Sequence, residues 1–137
     1  MNLNDTQLSE LESFHNWLTD ACSKGAVPVV TGKNGDMDTI GSAVALSAVH
    51  SNMMACGLHL GRVAKKVCEE LTAPFRRIGA NHSNWPASLS GLIIVDAASP
   101  SQVGIDIPKN VPKIPRLFRI SLYFFDCSRI PIYKILA

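Results

Sequence analysis

Three aspartates carry the chemistry that this sequence can offer. Asp36 and Asp38 stand one residue apart in the loop Gly32–Asp38, which is rich in Gly, Asn and Asp, and Asp96 closes the apolar run Leu92-Ile93-Ile94-Val95. Two carboxylates with one residue between them can address neighbouring metal ions, and hard divalent cations such as Mg²⁺ and Mn²⁺ prefer carboxylate oxygen. Thr39 or Asp38 can cap the helix that follows, whose N-terminus attracts a phosphate oxygen. Gly41 allows close backbone approach, and Ser42 lies beside it. The plainer alternative is that Asp-x-Asp in such a loop is only a turn and a helix cap, and that Asp96 is a turn residue before Pro100. A shared cation is favoured over that alternative if the two stretches are neighbours, because clustered carboxylates otherwise repel.

The elements needed to position them can be read from the pattern. Asn4 or Asp5 can cap a helix with Leu8, Leu11, Phe14, Trp17, Leu18 and Ala21 on one face, ended by Gly25. Val27–Thr31 is a short apolar run of buried-strand type. Small apolar residues from Ile40 to about Val49 suit a helix packed closely on a sheet, and Asn52 breaks it. Met53–Leu60 reads as a second strand. Gly61–Thr72 reads as a helix with Val63, Val67 and Leu71 inside and Arg62, Lys65, Lys66, Glu69 and Glu70 outside. Pro74 stops it, Phe75–Ile78 is a short strand, and Ala80–Ser90 is a polar loop before the clearest strand, Leu92–Val95. Alternation of helix and strand predicts an α/β domain: a three-layer, mainly parallel sheet of three to five strands with helices on both faces. In such a sheet, ligands bind beyond the carboxyl ends of the strands.

At 137 residues, 47% hydrophobic and 18% charged, the chain is of single-domain length and can bury a core. Its net charge of +2 is too small to imply nucleic-acid or membrane binding. No apolar run is long enough to span a membrane. Met1–Leu18 is polar and amphipathic, without an apolar signal core. Cys22, Cys56, Cys68 and Cys127 lie far apart, with no metal-finger spacing. A cytoplasmic protein with reduced thiols is the expectation. The organisation expected is a domain over residues 1–106 and an atypical basic tail over 107–137. From Lys109 onward Lys109, Lys113, Arg116, Arg119, Arg129 and Lys134 stand against one acid, Asp126. Within the tail, Ile120–Phe125 could be a strand.

The segment Asn34-Gly35-Asp36-Met37-Asp38-Thr39-Ile40-Gly41-Ser42-Ala43-Val44-Ala45-Leu46 resembles the first motif of the DHH phosphoesterase superfamily, His-x-x-x-Asp-x-Asp between a strand and a small-residue helix. Leu92–Gly104 resembles the second motif, an apolar strand ending in Asp. The likeness covers roughly Val27 to Gly104 and is closest to archaeal-type members. It implies a hydrolase with a two-metal site, usually Mn²⁺, acting on phosphoesters in nucleotides, short oligonucleotides, single-stranded nucleic acid or polyphosphate. By that likeness Asp36 and Asp38 each ligate a metal, Asp96 bridges or completes the pair, and Thr39, Gly41 and Ser42 sit beside the phosphate. Two metals about 3.5–4 Å apart activate a water and stabilise the leaving oxygen.

This sequence departs from the family in three places. The motif's histidine falls on Gly32, which cannot ligate. The third motif, Asp-His-His, has only Asp126-Cys127-Ser128 as a candidate. The family's smaller C-terminal domain has no counterpart. A disruption of the reading frame near Lys113 would explain the last two together; a diverged single-domain member is the alternative. The resemblance thus implies an impaired phosphoesterase-like domain whose Mn²⁺ or Mg²⁺ binds weakly, with a phosphorylated small molecule or short single-stranded nucleic acid as partner. The other readings are a non-catalytic remnant that binds metal, nucleotide or a protein, and a plain structural domain.

Remaining polar residues carry weaker expectations. His15 is read as solvated on the first helix, His50 as a helix-end residue, and His82 as a loop residue. His59, after the second strand, is the histidine best placed to neighbour a phosphate or a metal. Cys68 and Trp17 are read as core, and Trp85 as packing a loop. Arg62, Lys65 and Lys66 form a basic face that is either solvated or attracts a polyanion. An unpaired sheet edge near the C-terminus would favour a homodimer over a monomer.

Overall fold

A computed structural model of the chain describes residues 3–79, 85–97 and 100–107. The tail from 108 onward, with Ile120–Phe125, Asp126-Cys127-Ser128 and the frame-disruption point near Lys113, lies outside the described residues, as does His82.

Helix α1 spans Asp5–Lys24. Asn4 caps it, accepting from the Gln7 amide at 2.8 Å while the Gln7 side chain accepts from the Asn4 amide at 3.0 Å, a reciprocal box that satisfies two amides at once. Its other end is fixed by tertiary contacts. The Ala21 carbonyl accepts from the Gly25 amide at 3.2 Å and also from Ser90 Oγ at 2.6 Å, while Asn52 Nδ2 donates at 2.7 Å to the Cys22 carbonyl, one of the last-turn carbonyls that a helix leaves open.

Strand β1 (Val27–Thr31) is buried along its whole length. Helix α2 (Met37–Ser47) and strand β2 (Met53–Gly57) follow, then helix α3 (Arg62–Glu70), strand β3 (Arg76–Arg77) and strand β4 (Ile93–Val95), with a short 3-10 turn at Pro100–Gln102. The strands form one sheet in the order β3-β2-β1-β4, and all three pairings are parallel. Pro28 is tolerated in a central strand because Val27 donates to Asn52 on the β2 side. The next residue therefore faces β4, which pairs only from Val29 onward.

Alternation along the strands separates two apolar layers. Val27, Val29, Ala55, Ile93 and Val95 pack with Phe14, Leu18, Ala21 and Cys22 of α1 and Ala43 of α2. On the opposite face Val30, Cys56 and Leu92 pack with Val103 and Ile105, flanked by Trp85, Leu89 and Ile107. The protein is an α/β domain of three layers. One outer layer is helical; the other, among the described residues, consists of loop segments. Trp85 does pack a loop, its Nε1 donating to the Asp106 carbonyl at 3.2 Å.

Several boundaries differ from expectation. Strand β2 ends at Gly57, so Leu58-His59-Leu60 form the connection to α3. Helix α2 begins at Met37, three residues early. On α3 the buried residues are Ala64 and Cys68, which pack with Ile40, while Val63 and Leu71 are 67% and 72% exposed. The inner face lies on small residues because α3 nests against α2, where bulk would hold the helices apart. His15 is half-buried beside a small apolar cavity of about 210 Å³ with Leu18, Cys22 and His50.

Candidate functional site

The order of strands puts β1 and β4 side by side and parallel, so their carboxyl ends open on the same edge of the sheet. Thr31 pairs with Val95, hence Gly32 lies level with Asp96. The approach is close: a Cβ on Gly32 would stand 2.9 Å from the Asp96 carbonyl oxygen. The segment after Asp96 then crosses the end of β1, and the Lys33 amide donates to the Gln102 carbonyl at 2.7 Å.

Gly35 makes the sharp turn that aims Asp36. Its φ is +60°, a left-handed conformation that costs an L-residue about 1–2 kcal/mol. The Gly61 amide donates to the Gly35 carbonyl at 2.8 Å, locking the loop to the β2–α3 connection and bringing His59 alongside it. Asp36 is then the N-cap of α2, accepting from the Thr39 amide at 3.0 Å. The expected cap, Thr39 or Asp38, is corrected: both lie inside the first turn. Thr39 instead turns its buried hydroxyl back to accept from the Gly32 amide at 3.3 Å, and Ser42 Oγ donates to the Asp38 carbonyl at 2.6 Å. Gly41 meets only the Met37 methyl, at 3.8 Å from where its Cβ would be, so nothing in the described chain crowds it.

Asp96 has φ +55°. Aspartate is one of the few side chains that tolerate this region, and non-glycine residues held there cluster at functional sites. Its carboxyl is pushed above its ordinary range, first by partial burial and then by the negative charges of Asp36 and Asp38. The three carboxylates of two separate stretches therefore share one electrostatic neighbourhood. Of the three, Asp96 borders a cavity of about 390 Å³ whose lining also includes Gly32, Lys33, Asn34, Thr39 and Gln102, within the range of small-molecule sites. Asp36, Asp38, Gly41 and Ser42 are not in that lining.

Lys33, Asn34 and Gln102 gain a place from the geometry that the motif alone does not give them. Lys33 brings a cation to a rim otherwise read as acidic. A clue to it exists in the sequence, since Lys33 and Asn34 lie between Gly32 and Asp36 in the same loop; Gln102 has none. Of the other polar groups, Cys22, Cys56 and Cys68 are buried and free. Burial pushes the Cys56 thiol up to about 12, with Arg76 opposing, so it is inert as a nucleophile.

Three carboxylates suit a hard divalent cation by donor type. As the side chains stand, among the described residues no three of His, Cys, Asp or Glu close into a ligand group. A cation would have to draw the three together, taking Asp36 from its cap. No helix among the described residues is long and apolar enough to cross a membrane. No protein-family model, curated protein or solved structure was found to match this chain.

The raised Asp96 carboxyl has a measurable consequence. Because the folded state holds this proton more tightly than the unfolded chain, stability falls as pH rises from the ordinary value of 3.8 through the raised one. Asp96→Asn, which keeps a residue tolerant of positive φ, removes that loss. In chelator at pH 7 the variant is expected to melt roughly 1–3 °C higher, a small effect because an exposed site is screened. The gain should vanish near pH 3. Melting curves in which the variant is less stable at pH 7 would exclude charge repulsion at Asp96.

Proposed function

We propose that the chain is a phosphoesterase-like domain of the DHH type, with weak hydrolytic power toward nucleotides, short single-stranded oligonucleotides or polyphosphate. One observation carries this reading: Asp36 and Asp38, at the start of the helix that follows β1, stand near enough to Asp96 at the end of the adjacent parallel strand β4 for their charges to help raise its carboxyl. An isolated capping aspartate has no reason to stand beside two more. Asp36, Asp38 and Asp96 would hold Mn²⁺ or Mg²⁺. When bound, the cation supplies an activated water and neutralises phosphate charge. The chain's own residues do the rest. The Thr39 hydroxyl fixes the Gly32 amide and hence the loop's height above the sheet. The start of α2 presents its dipole to the phosphate. Lys33 balances substrate charge at the rim.

Gly32 favours a second reading, a remnant that binds metal or nucleotide without turnover. No imidazole is available there, and the Asp96 carbonyl occupies the space that a side chain would need. The free Cys22, Cys56 and Cys68 fit a cytoplasmic location with reduced thiols, and the open edges at β3 and β4 among the described residues suit a homodimer.

The two are separated by adding Mn²⁺ to the purified chain and assaying a short oligonucleotide, a nucleoside bisphosphate and polyphosphate. Slow turnover is expected, and Asp38→Asn should reduce it by more than the roughly 10–100-fold that loss of a residue supporting a metal ligand costs. Mn²⁺ binding without turnover leaves the remnant. Neither binding nor turnover sinks both.

A further inference from the structure

The carboxyl end of the sheet is divided by charge. The β1–β4 half holds Asp36, Asp38 and Asp96. The β2–β3 half is basic: residues 57–68 include His59, Arg62, Lys65 and Lys66, residues 71–79 include Arg76 and Arg77, and neither stretch contains Asp or Glu. Glu69 and Glu70 end α3, and a helix joining two parallel strands runs back along them, so those acids lie toward the opposite end of the sheet.

Register places the basic groups. Arg77 pairs with Gly57 on β2, and Gly57 lies level with Thr31, one residue beyond the Val30–Cys56 pair. Neighbouring strands are about 4.8 Å apart, which puts Arg77 roughly 10 Å from the end of β1. Arg76 pairs with Cys56 in the parallel register of β2 and β3 and so shares the Cys56 face. By alternation Arg77 takes the helical face, the side of α3 and Arg62. His59 lies between the halves, its carbonyl against Gly35. His59, Arg62 and Arg77 are all exposed. Among the described residues the two ion pairs are Lys24–Asp20 and Lys65–Glu69, so none of the three is engaged by a carboxylate.

We propose that His59, Arg62 and Arg77 form an anion subsite for a second phosphate of an extended polyanionic substrate, whose reacting phosphate lies over Asp36, Asp38 and Asp96. This deepens the phosphoesterase reading and rests on it for the reacting end alone. A single phosphate spans only one half of the edge. A chain of phosphates, whether polyphosphate or the backbone of a short single strand, spans both.

The test measures binding by the full chain and by the double variant Arg62→Gln/Arg77→Gln, both checked for unchanged melting. The probes are inorganic phosphate, tripolyphosphate, and thymidine oligonucleotides of increasing length. Affinity of the unaltered chain should rise with the number of phosphates. The double variant should bind the chains roughly fivefold to tenfold more weakly at low salt, with a salt slope shallower by about 1–2. A gain for both polymers assigns the phosphate chain alone, and a gain for oligonucleotides only assigns nucleic acid; each supports the subsite. Length-independent binding, or a variant equal to the unaltered chain, overturns it. Length-dependent binding without Mn²⁺-supported turnover keeps the subsite and removes the phosphoesterase reading.

Discussion

Gly35→Ala should cost this fold about 3–5 kcal/mol, a large share of a stability of roughly 5–15 kcal/mol. Two independent penalties combine. The backbone at Gly35 has φ +60°, which disfavours any L-side chain. The added methyl would also fall 2.6 Å from the His59 carbonyl carbon, and against its oxygen. Those are backbone atoms, so no rotamer change relieves the clash. Relief requires moving the β2–α3 connection away from the loop, which breaks the Gly61-to-Gly35 hydrogen bond and tilts Asp36. Gly79→Ala is the control, since among the described residues nothing lies within 4 Å of its Cβ position, and it should stay within about 0.5 kcal/mol. Urea unfolding of the three proteins measures this. Equal midpoints for Gly35→Ala and Gly79→Ala would mean that the loop does not sit against β2 as described.

The loop also shows why parts of the architecture were legible from the sequence and others were not. Val27–Thr31 and Leu92–Val95 announce themselves as buried strands by unbroken apolar character, and an Asp at the end of each loop or strand follows from their ends. That the two meet depends on β1 and β4 being neighbours, a long-range fact that a chain read residue by residue contains only as the general preference for parallel alternation. Asn34-Gly35 signals a turn, yet not that its carbonyl is held by Gly61. Helix α3 misleads for a different reason. Val63, Val67 and Leu71 form the bulkier stripe, but burial follows fit rather than bulk, and Ala64 and Cys68 let the helix approach Ile40. The cap of α2 went to Asp36 because its extended φ and ψ of −73° and 173° leave its carboxylate reaching forward, whereas Asp38 and Thr39 are already helical.

Gly32→His tests the most consequential departure from the motif. On the motif alone, the substitution restores a nitrogen ligand and should strengthen metal binding. The structure predicts the reverse. The first added carbon would lie 2.9 Å from the Asp96 carbonyl oxygen and 3.9 Å from that of Gln102, both backbone atoms of the segment that crosses the end of β1. The imidazole can enter only if that segment lifts, which moves Asp96 and breaks the Lys33-to-Gln102 hydrogen bond. A loss of about 1–3 kcal/mol is expected, as for other overpacked sites, with Gly32→Ala showing most of it because the Cβ alone makes the contact. Mn²⁺ titration followed by thermal shift separates the cases. If Gly32→His gains metal affinity at unchanged stability, Asp96 is not pinned over Gly32, and the glycine is a simple loss of a ligand. If both variants lose stability and neither gains affinity, the glycine is what allows the two aspartate-bearing strand ends to approach, and putting back the histidine would also require a wider spacing between β1 and the segment that follows β4.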